Sequence, residues 1–196
     1  MFIASLEGGS DVDVPLISHS EQVVFPEFAA QDIRDIEIRS AKACDVHGMS
    51  ALINHYAASN VMLARGPQYL FQHLQDYLVA TARVRRADEL KEYVVGCAAL
   101  NVLWADLAEV RSLAVHPSCQ HSGLGARIVR QLIERCAALE IPRVFCFTLV
   151  DKFFASCGFV PFSRELLPAI VWAECSKCPK FYHCDEISMV YEVLKK

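Results

Sequence analysis

The sequence predicts a mixed α/β (α+β) fold, and three observations point to it. Strand-like runs occupy residues 78–84, 93–103 and 107–115, and a polar turn joins the first two. The third run leads through a glycine-containing loop into an amphipathic helix that reaches Cys136. Hydrophobic residues fill 54% of the 196 positions, which is ample for a core. We therefore expect one folded domain over residues 35–196.

An N-terminal arm precedes this domain. Pro15 and Pro26 interrupt the apolar patches of residues 1–34, and neither helical nor strand periodicity persists there. We expect the arm to be partly disordered.

The domain is predicted to begin with a strand and two helices. Residues 36–39 alternate apolar and charged side chains, as a strand does. A helix capped near Asp45 follows, and a second helix starts at Pro67, which suits a first-turn position. The predicted apolar faces are Val46, Met49, Leu52, Ile53 and Tyr56 on the first helix, and Leu70, Phe71, Leu74 and Tyr77 on the second.

The three strand-like runs come next, and then the amphipathic helix. Its apolar residues Ile128, Leu132, Ile133 and Cys136 define one face, which we expect to pack on a sheet. A buried strand at 143–149, a short helix near Phe153 and Phe154, and a strand at 187–194 complete the chain. The predicted order is strand, two helices, three strands, helix, strand, helix, strand.

The loop at residues 120–125 has the features of a phosphate-binding turn. Gly123 and Gly125 let backbone N–H groups approach a ligand closely, and the positive end of the helix dipole favours an anion there. A P-loop would place Lys and then Ser or Thr where Ala126 and Arg127 stand, and a dinucleotide loop needs three glycines. The loop therefore suits a pyrophosphate but fits neither of those nucleotide motifs.

Gln120, Gly123 and Gly125 resemble the acetyl-CoA motif of GNAT-type N-acetyltransferases, which reads Gln or Arg, two residues, Gly, any residue, Gly or Ala. The run at residues 113–117 is similar to the strand ending of that family. The resemblance implies the GNAT acyl-CoA N-acyltransferase fold, a mixed, mostly antiparallel sheet flanked by helices, with acetyl-CoA as cosubstrate. It implies cofactor contacts from Leu113, Val115, Gln120, His121, Ser122, Gly123, Leu124, Gly125 and Ala126.

Glu109 is the candidate general base. It lies four residues before Leu113 among apolar neighbours, and burial there should raise its pKa towards neutrality. In the GNAT pattern a glutamate at this place often takes the proton of the amine. An exposed Glu109, or one paired with Arg111, is the alternative.

The chain departs from the family at one catalytic position. Many members carry a tyrosine four residues before a Gly-Phe pair, where it protonates the leaving thiolate, and here Phe154 precedes Gly158. We expect the thiolate to leave unprotonated or to take a proton from water, because its pKa is already moderate. Substitution by Ser112 or Thr148 is the alternative.

Residues 61–65, 96–100, 109–117 and 145–148 resemble the acetyltransferase domain of N-acetylglutamate synthases, although no kinase-like domain is matched. That resemblance implies direct acetyl transfer to the α-amine of L-glutamate, the entry to arginine biosynthesis. The acceptor is a dianion, and Arg65 and Arg111 are the candidate cations for its carboxylates.

Other readings stay open. Arg65 could be an ordinary surface arginine and Arg111 a structural partner of Glu109. The acceptor could be another small amine or amino acid. A non-catalytic acyl-CoA-binding regulatory module would suit the missing tyrosine, whereas Glu109 counts against it.

A cysteine-rich segment spans residues 175–184. Cys175, Cys178 and Cys184, with His183, supply the donor set of a structural zinc site. The two ligand pairs are unusually close together, so reduced thiols in a loop and a redox or iron–sulfur role stay open. Nine cysteines without a secretion signal argue against a disulfide framework.

Charge and hydropathy limit the classes of partner that the sequence predicts. The formal net charge is −4 and there is no basic stripe, which argues against nucleic acid. No apolar run approaches the roughly 20 residues that span a bilayer. We expect a cytoplasmic protein that acts on a small molecule without a membrane partner, and a homodimer is left open.

Overall fold

The computed structural model describes residues 25–86, 89–176, 178 and 180–194. Seven strands form one sheet: β1 Ile33–Ser40, β2 Tyr77–Arg86, β3 Glu89–Trp104, β4 Leu107–Val115, β5 Arg143–Thr148, β6 Val160–Pro161 and β7 Ile187–Glu192. The helices are α1 Val46–Ala57, α2 Pro67–Gln72, α3 Leu124–Ala138, α4 Asp151–Ser156 and α5 Trp172–Cys175. The strand order is β1-β2-β3-β4-β5-β7-β6, and every neighbouring pair is antiparallel except β4 and β5. The predicted mixed, mostly antiparallel sheet is confirmed.

Helix α3 packs on one face of the sheet. Its residues Ile128 and Leu132 are fully buried in a core that includes alternate β2 residues Leu78, Ala80 and Ala82. A Cβ at Gly96 of β3 would lie 2.9 Å from Ile128 Cδ1. The bare backbone at that glycine therefore allows α3 to approach the sheet closely.

The other sheet face is covered by α1 and α2. The intervening β2 residues Tyr77 and Val79 join Met49, Ile53 and Leu70 in a second buried cluster. Strand alternation thus supplies both cores from the same strands. A Cβ at Gly48 of α1 would lie 2.9 Å from Val94 Cγ2, so α1 also lies close to β3.

The second predicted helix is shorter than expected. Helix α2 ends at Gln72, Leu74 starts a separate 3-10 turn, and Tyr77 begins β2. His73 breaks the helix with φ −110° and ψ 17°, so the expected apolar face does not continue past it. Phe71 is 46% exposed, and its predicted place on that face is wrong.

The N-terminal boundary also differs from the expected one. Strand β1 starts at Ile33, and the rings of Phe25 and Phe28 stack on His116 with centroid distances of 5.0 and 4.1 Å. His116 Nε2 lies 2.8 Å from the Pro26 carbonyl, which can only accept, so Nε2 carries the proton. Residues 25–34 therefore pack against the domain, whereas the rest of the predicted arm, residues 1–24, lies outside the described residues.

Within the described residues, no helix is both long and apolar enough to cross a membrane.

Candidate active site

Strand β4 is irregular where the sequence places the site. Cys97 pairs with Ala114 and Ala99 pairs with Arg111, so two β4 residues, Ser112 and Leu113, oppose one residue of β3. This is a β-bulge, and Ser112 has a left-handed φ of +54°. The bulge bends β4 at the point where it leaves its other neighbour.

That neighbour is β5, and few residues of the two strands pair with each other. Their parallel pairing is limited to Ala108 with Val144 and Glu109 with Phe145. Beyond Glu109 this pairing ends, and no strand in the described part of the chain pairs with the β5-facing edge of β4 across residues 110–115. An extended ligand could hydrogen bond with this edge just before the start of α3.

The loop before α3 presents unpaired N–H groups. Among the described residues, no backbone carbonyl accepts from the N–H groups of residues 121–126, and the first helical bond runs from Arg127 to Gly123, at 3.1 Å. Gly123 has φ +81° and His121 φ +58°, which turn the chain into the helix. These donors and the helix dipole form a site suited to a pyrophosphate.

Gly125 keeps the first turn of α3 bare. A Cβ there would lie 3.3 Å from Phe153 Cζ and 3.6 Å from Val115 Cγ2. A side chain would thus crowd the space between the helix and the end of β4. The bare backbone at Gly125 fits the phosphate-binding role predicted for the loop.

Tyr56 links the loop to β4. Its hydroxyl donates to the Val115 carbonyl, and Gln120 Nε2 donates to the same hydroxyl at 2.8 Å. Burial raises the pKa of Tyr56, which keeps it protonated as a donor. Backbone groups of Val115 are expected to contact the cofactor, and its carbonyl already accepts a hydrogen bond within the protein.

Glu109 lies where β4 and β5 begin to separate, and only 17% of its side chain is exposed. Burial raises the pKa of its carboxyl, and the charge of Arg111, a hydrogen bond with Asn101 and the charge of Arg65 oppose that rise. Arg111 Nη1 is 4.0 Å from Glu109 Oε2. A carboxyl that is harder to ionise is a stronger base once ionised, as the sequence predicted.

Arg65, whose charge acts on this carboxyl, is mostly buried. Its side chain is 11% exposed, and its guanidinium carbon lies 4.1 Å from the centroid of the Tyr69 ring. Its backbone N–H donates to Asn54 Oδ1 at 3.0 Å, and its carbonyl accepts from Ser50 at 3.0 Å. The alternative of a surface arginine is therefore wrong.

The same Tyr69 ring also lies below Arg111, whose guanidinium carbon is 5.9 Å from the centroid. Two cations thus share one aromatic ring beside Glu109. The Nε atoms of Arg65 and Arg111 and the Tyr69 hydroxyl are buried and have no hydrogen-bond partner among the residues that the structure describes. Leaving such donors unsatisfied is costly, and an anionic ligand would supply the acceptors that they lack.

Four residues of the site were missed by sequence reasoning. Tyr69 and Asn101 come from α2 and β3, and Tyr56 was assigned only to the apolar face of α1. Glu174, whose Oε2 accepts from Arg65 Nη1 at 2.9 Å, lies just before the cysteine-rich segment and was assigned no role. Its position next to Cys175 gave no signal of a contact with residue 65, 109 positions away.

The structure also locates the residues that were considered for protonation of the leaving thiolate. Phe154 is buried and has no acidic hydrogen. The Thr148 hydroxyl accepts from the Val150 N–H at 2.9 Å, and Ser112 forms part of the bulge. Their roles stay predictions.

The cysteine segment does not assemble a metal site in the described part of the chain. No group of three His, Cys, Asp or Glu side chains is placed to hold an ion, and Cys175, Cys178 and Cys184 are free thiols. Burial raises the pKa of Cys175 to about 11. The predicted zinc site therefore receives no support, and the alternative of reduced thiols stays a prediction.

Comparison with known proteins identifies the family. The family model of the acetyltransferase (GNAT) family matches residues 49–159. The chain belongs to the GNAT acetyltransferase family. As a GNAT protein it is 32% identical, over 80% of its length and 96% of the relative, to an uncharacterised N-acetyltransferase of Chlorobaculum tepidum. It is 34% identical to an amino-acid acetyltransferase of Mycobacterium tuberculosis, over 74% of this chain and 79% of the relative.

Two solved GNAT structures are similar to this one. An N-acetylglutamate synthase of Neisseria gonorrhoeae in complex with coenzyme A and N-acetyl-glutamate has a TM-score of 0.68 and 25% identity, over 83% of this chain and 36% of that one. A Mycobacterium tuberculosis protein in complex with CoA has a TM-score of 0.65 and 29% identity, over 81% of this chain and 99% of that one. The present chain thus spans about a third of the Neisseria enzyme.

Proposed function

We propose that this GNAT protein transfers the acetyl group of acetyl-CoA directly to the α-amine of L-glutamate, as an N-acetylglutamate synthase. One observation carries the proposal: Arg65 and Arg111 lie over one Tyr69 ring, and their buried Nε atoms have no hydrogen-bond partner among the described residues. Arg111 Nη1 is 4.0 Å from the Glu109 carboxylate, and the charge of Arg65 also acts on that carboxyl. The amino-acid acetyltransferase of Mycobacterium tuberculosis and the Neisseria synthase support an amino-acid acceptor.

Acetyl-CoA supplies the acetyl thioester. The free N–H groups of residues 121–126 would hold its pyrophosphate, and the unpaired edge of β4 at Leu113 would accompany the pantetheine arm. The Val115 carbonyl already accepts a hydrogen bond from Tyr56, so it could bind acetyl-CoA only by accepting a second hydrogen bond. The bulge at Ser112 and the opening between β4 and β5 bring this edge next to Glu109.

Glu109 prepares the acceptor. The α-ammonium must lose a proton before its nitrogen lone pair can attack the thioester, at a cost of about 1.4 kcal/mol for each unit by which its pKa exceeds the pH. The ionised Glu109 carboxylate takes that proton, directly or through water. Because its pKa is raised, the Glu109 carboxylate is a stronger base than that of an ordinary glutamate.

Arg65 and Arg111 orient the acceptor. L-Glutamate carries two carboxylates, and each guanidinium can bind one through the Nε that lacks a partner. The Tyr69 ring and the backbone contacts of Arg65 fix the cations before the acceptor arrives. Such prior ordering reduces the entropy cost of positioning the amine.

The test is thiol release from acetyl-CoA with L-glutamate, other amino acids, polyamines and no acceptor. We expect a clear preference for L-glutamate. The variant Arg65→Gln should raise KM for L-glutamate about tenfold or more and leave KM for acetyl-CoA unchanged. Arg83→Gln is the control, because that arginine is 56% exposed and pairs with Asp35 on β1. Preference for a polyamine, or equal KM values in Arg65→Gln and wild type, would contradict the proposal.

A second candidate is acetylation of an amino acid that has a single carboxylate. The ion pair between Arg65 and Glu174 favours it, because Arg111 would then be the main cation for the acceptor. The same panel distinguishes the two, since a neutral amino acid would then exceed L-glutamate in kcat/KM.

A further inference from the structure

A carboxylate of the protein itself pairs with Arg65, one of the two cations proposed to bind the carboxylates of the acceptor amino acid. Glu174 Oε2 accepts from Arg65 Nη1 at 2.9 Å, and the Glu174 side chain is 35% exposed. Glu174 lies on α5, a single helical turn between a 3-10 turn and the cysteine-rich segment. The carboxylate is chemically the same group as the one expected from the acceptor.

The contact leaves part of the cation unsatisfied. Glu174 engages Arg65 through Nη1, whereas Nε is buried without a partner. The Tyr69 ring covers a face of the guanidinium and offers no acceptor to Nε. A carboxylate that binds in the fork geometry would engage Nε and a terminal nitrogen together, which is the stronger mode for arginine.

We infer that Glu174 is an internal competitor for Arg65, which the acceptor's carboxylate must displace, and that Glu174 thereby sets the affinity for anionic acceptors. The inference rests on the proposed role of Arg65. The acceptor gains the Nε hydrogen bond that Glu174 does not make, and the partly exposed Glu174 carboxylate can return to water. Acetyl-CoA binding is untouched, because its predicted contacts lie on β4 and the start of α3.

The test measures binding of glutarate, a dicarboxylate that has no amine to acetylate, by calorimetry on the full chain. Glu174→Gln keeps the size of the side chain but removes the competing charge. We expect glutarate to bind the variant roughly fivefold more tightly than wild type, the change expected for loss of one partly exposed ion pair. Glu165→Gln is the matched control, because Glu165 is an exposed carboxylate in the 3-10 turn at residues 164–166.

Unchanged or weaker glutarate binding in Glu174→Gln, or no binding to either protein, would overturn the inference. Weaker binding would mean that Glu174 holds Arg65 in place. Turnover is measured separately with L-glutamate and acetyl-CoA. Tighter glutarate binding in Glu174→Gln would support the inference whatever the acceptor is. If wild type acetylates other amino acids but not L-glutamate, the proposed acceptor is rejected while the inference is retained.

Discussion

Glu109 is held where its charge is unfavourable, and that is the basis of its proposed role. Burial outweighs the effects of Arg111, Asn101 and Arg65, so the pKa of its carboxyl lies above the ordinary value of a glutamate. A base must be ionised to act. Activity is therefore lost as the pH falls through this raised pKa.

Glu109→Gln keeps the size of the side chain and removes the base, together with the negative charge that faces Arg111. We expect kcat to fall about 100-fold or more, and the acidic limb of the kcat/KM profile to disappear. Acetyl-CoA binding, measured by calorimetry, should be retained. Glu134→Gln, at an exposed position of α3, serves as the control. Wild-type rates in Glu109→Gln at neutral pH would show that another group takes the proton.

The same pKa has a consequence for stability. Because the folded state holds the Glu109 proton up to a higher pH than the unfolded state, the free energy of unfolding decreases as the pH rises from the ordinary glutamate pKa through the raised one. Glu109→Gln lacks this titration. We expect its Tm to exceed that of wild type by a margin that grows over that range, in thermal scans at several pH values. A margin that shrinks with rising pH would contradict the raised pKa.

Some individual residues could be predicted and others could not. Apolar neighbours on one strand were enough to indicate the burial of Glu109, and the loop motif indicated residues 120–126. The roles of Tyr69 and Glu174 depend on contacts between distant elements, which no local pattern contains. The burial of Arg65 likewise arises from packing against Tyr69 and Glu174.

At the scale of elements, the start of α3 depends on two glycines for different reasons. Gly123 needs its φ of +81°, although a Cβ there would meet nothing within 4 Å. Gly125 would place a Cβ 3.3 Å from Phe153. The first position is constrained by backbone conformation and the second by space.

Alanine substitutions should separate these two effects. Gly123→Ala should lower the free energy of unfolding by about 1–2 kcal/mol, the cost of a left-handed alanine, in urea denaturation. Gly125→Ala should weaken acetyl-CoA binding in calorimetry while lowering stability less, because the Phe153 ring edge must shift by a few tenths of an ångström. Equal losses of stability in the two variants would contradict this distinction.

Long periodic elements were predicted well, as was the six-residue helix α4, whereas the shortest elements were not predicted. β4 has the predicted bounds, and α3 covers its predicted apolar positions. Strand β6 has two residues and α5 has four, too few to show a period. The early end of α2 at Gln72 reflects the tertiary pairing of Tyr77 with Ala99, which begins β2.

At the scale of the whole molecule, the two cores bury thiols on both sheet faces. Cys97, Cys119, Cys136 and Cys146 are buried, whereas Cys44 is exposed. Burial raises the pKa of Cys97 to about 12 and those of Cys119 and Cys136 to about 11. A cysteine reacts with a thiol reagent only if its sulfur is accessible to the reagent and its thiol is ionised to the thiolate.

A thiol reagent at pH 7.5 should therefore modify Cys44 first and the four buried cysteines only after unfolding. Mass spectrometry of peptides at increasing times distinguishes these classes. Addition of urea above the unfolding midpoint is the control, because unfolding should make the four buried cysteines reactive as well. Early modification of Cys97 or Cys146 in the folded protein would mean that the cores open more readily than their packing implies.

The limited pairing of β4 with β5 divides the sheet into two parts. Strands β1 to β4 form one part and β5, β7 and β6 the other, and the residue pairs that join them are Ala108 with Val144 and Glu109 with Phe145. Helix α3 contacts strands of both parts. Few sheet hydrogen bonds therefore hold the two parts together, and a ligand bound in the opening beside Glu109 would bridge them.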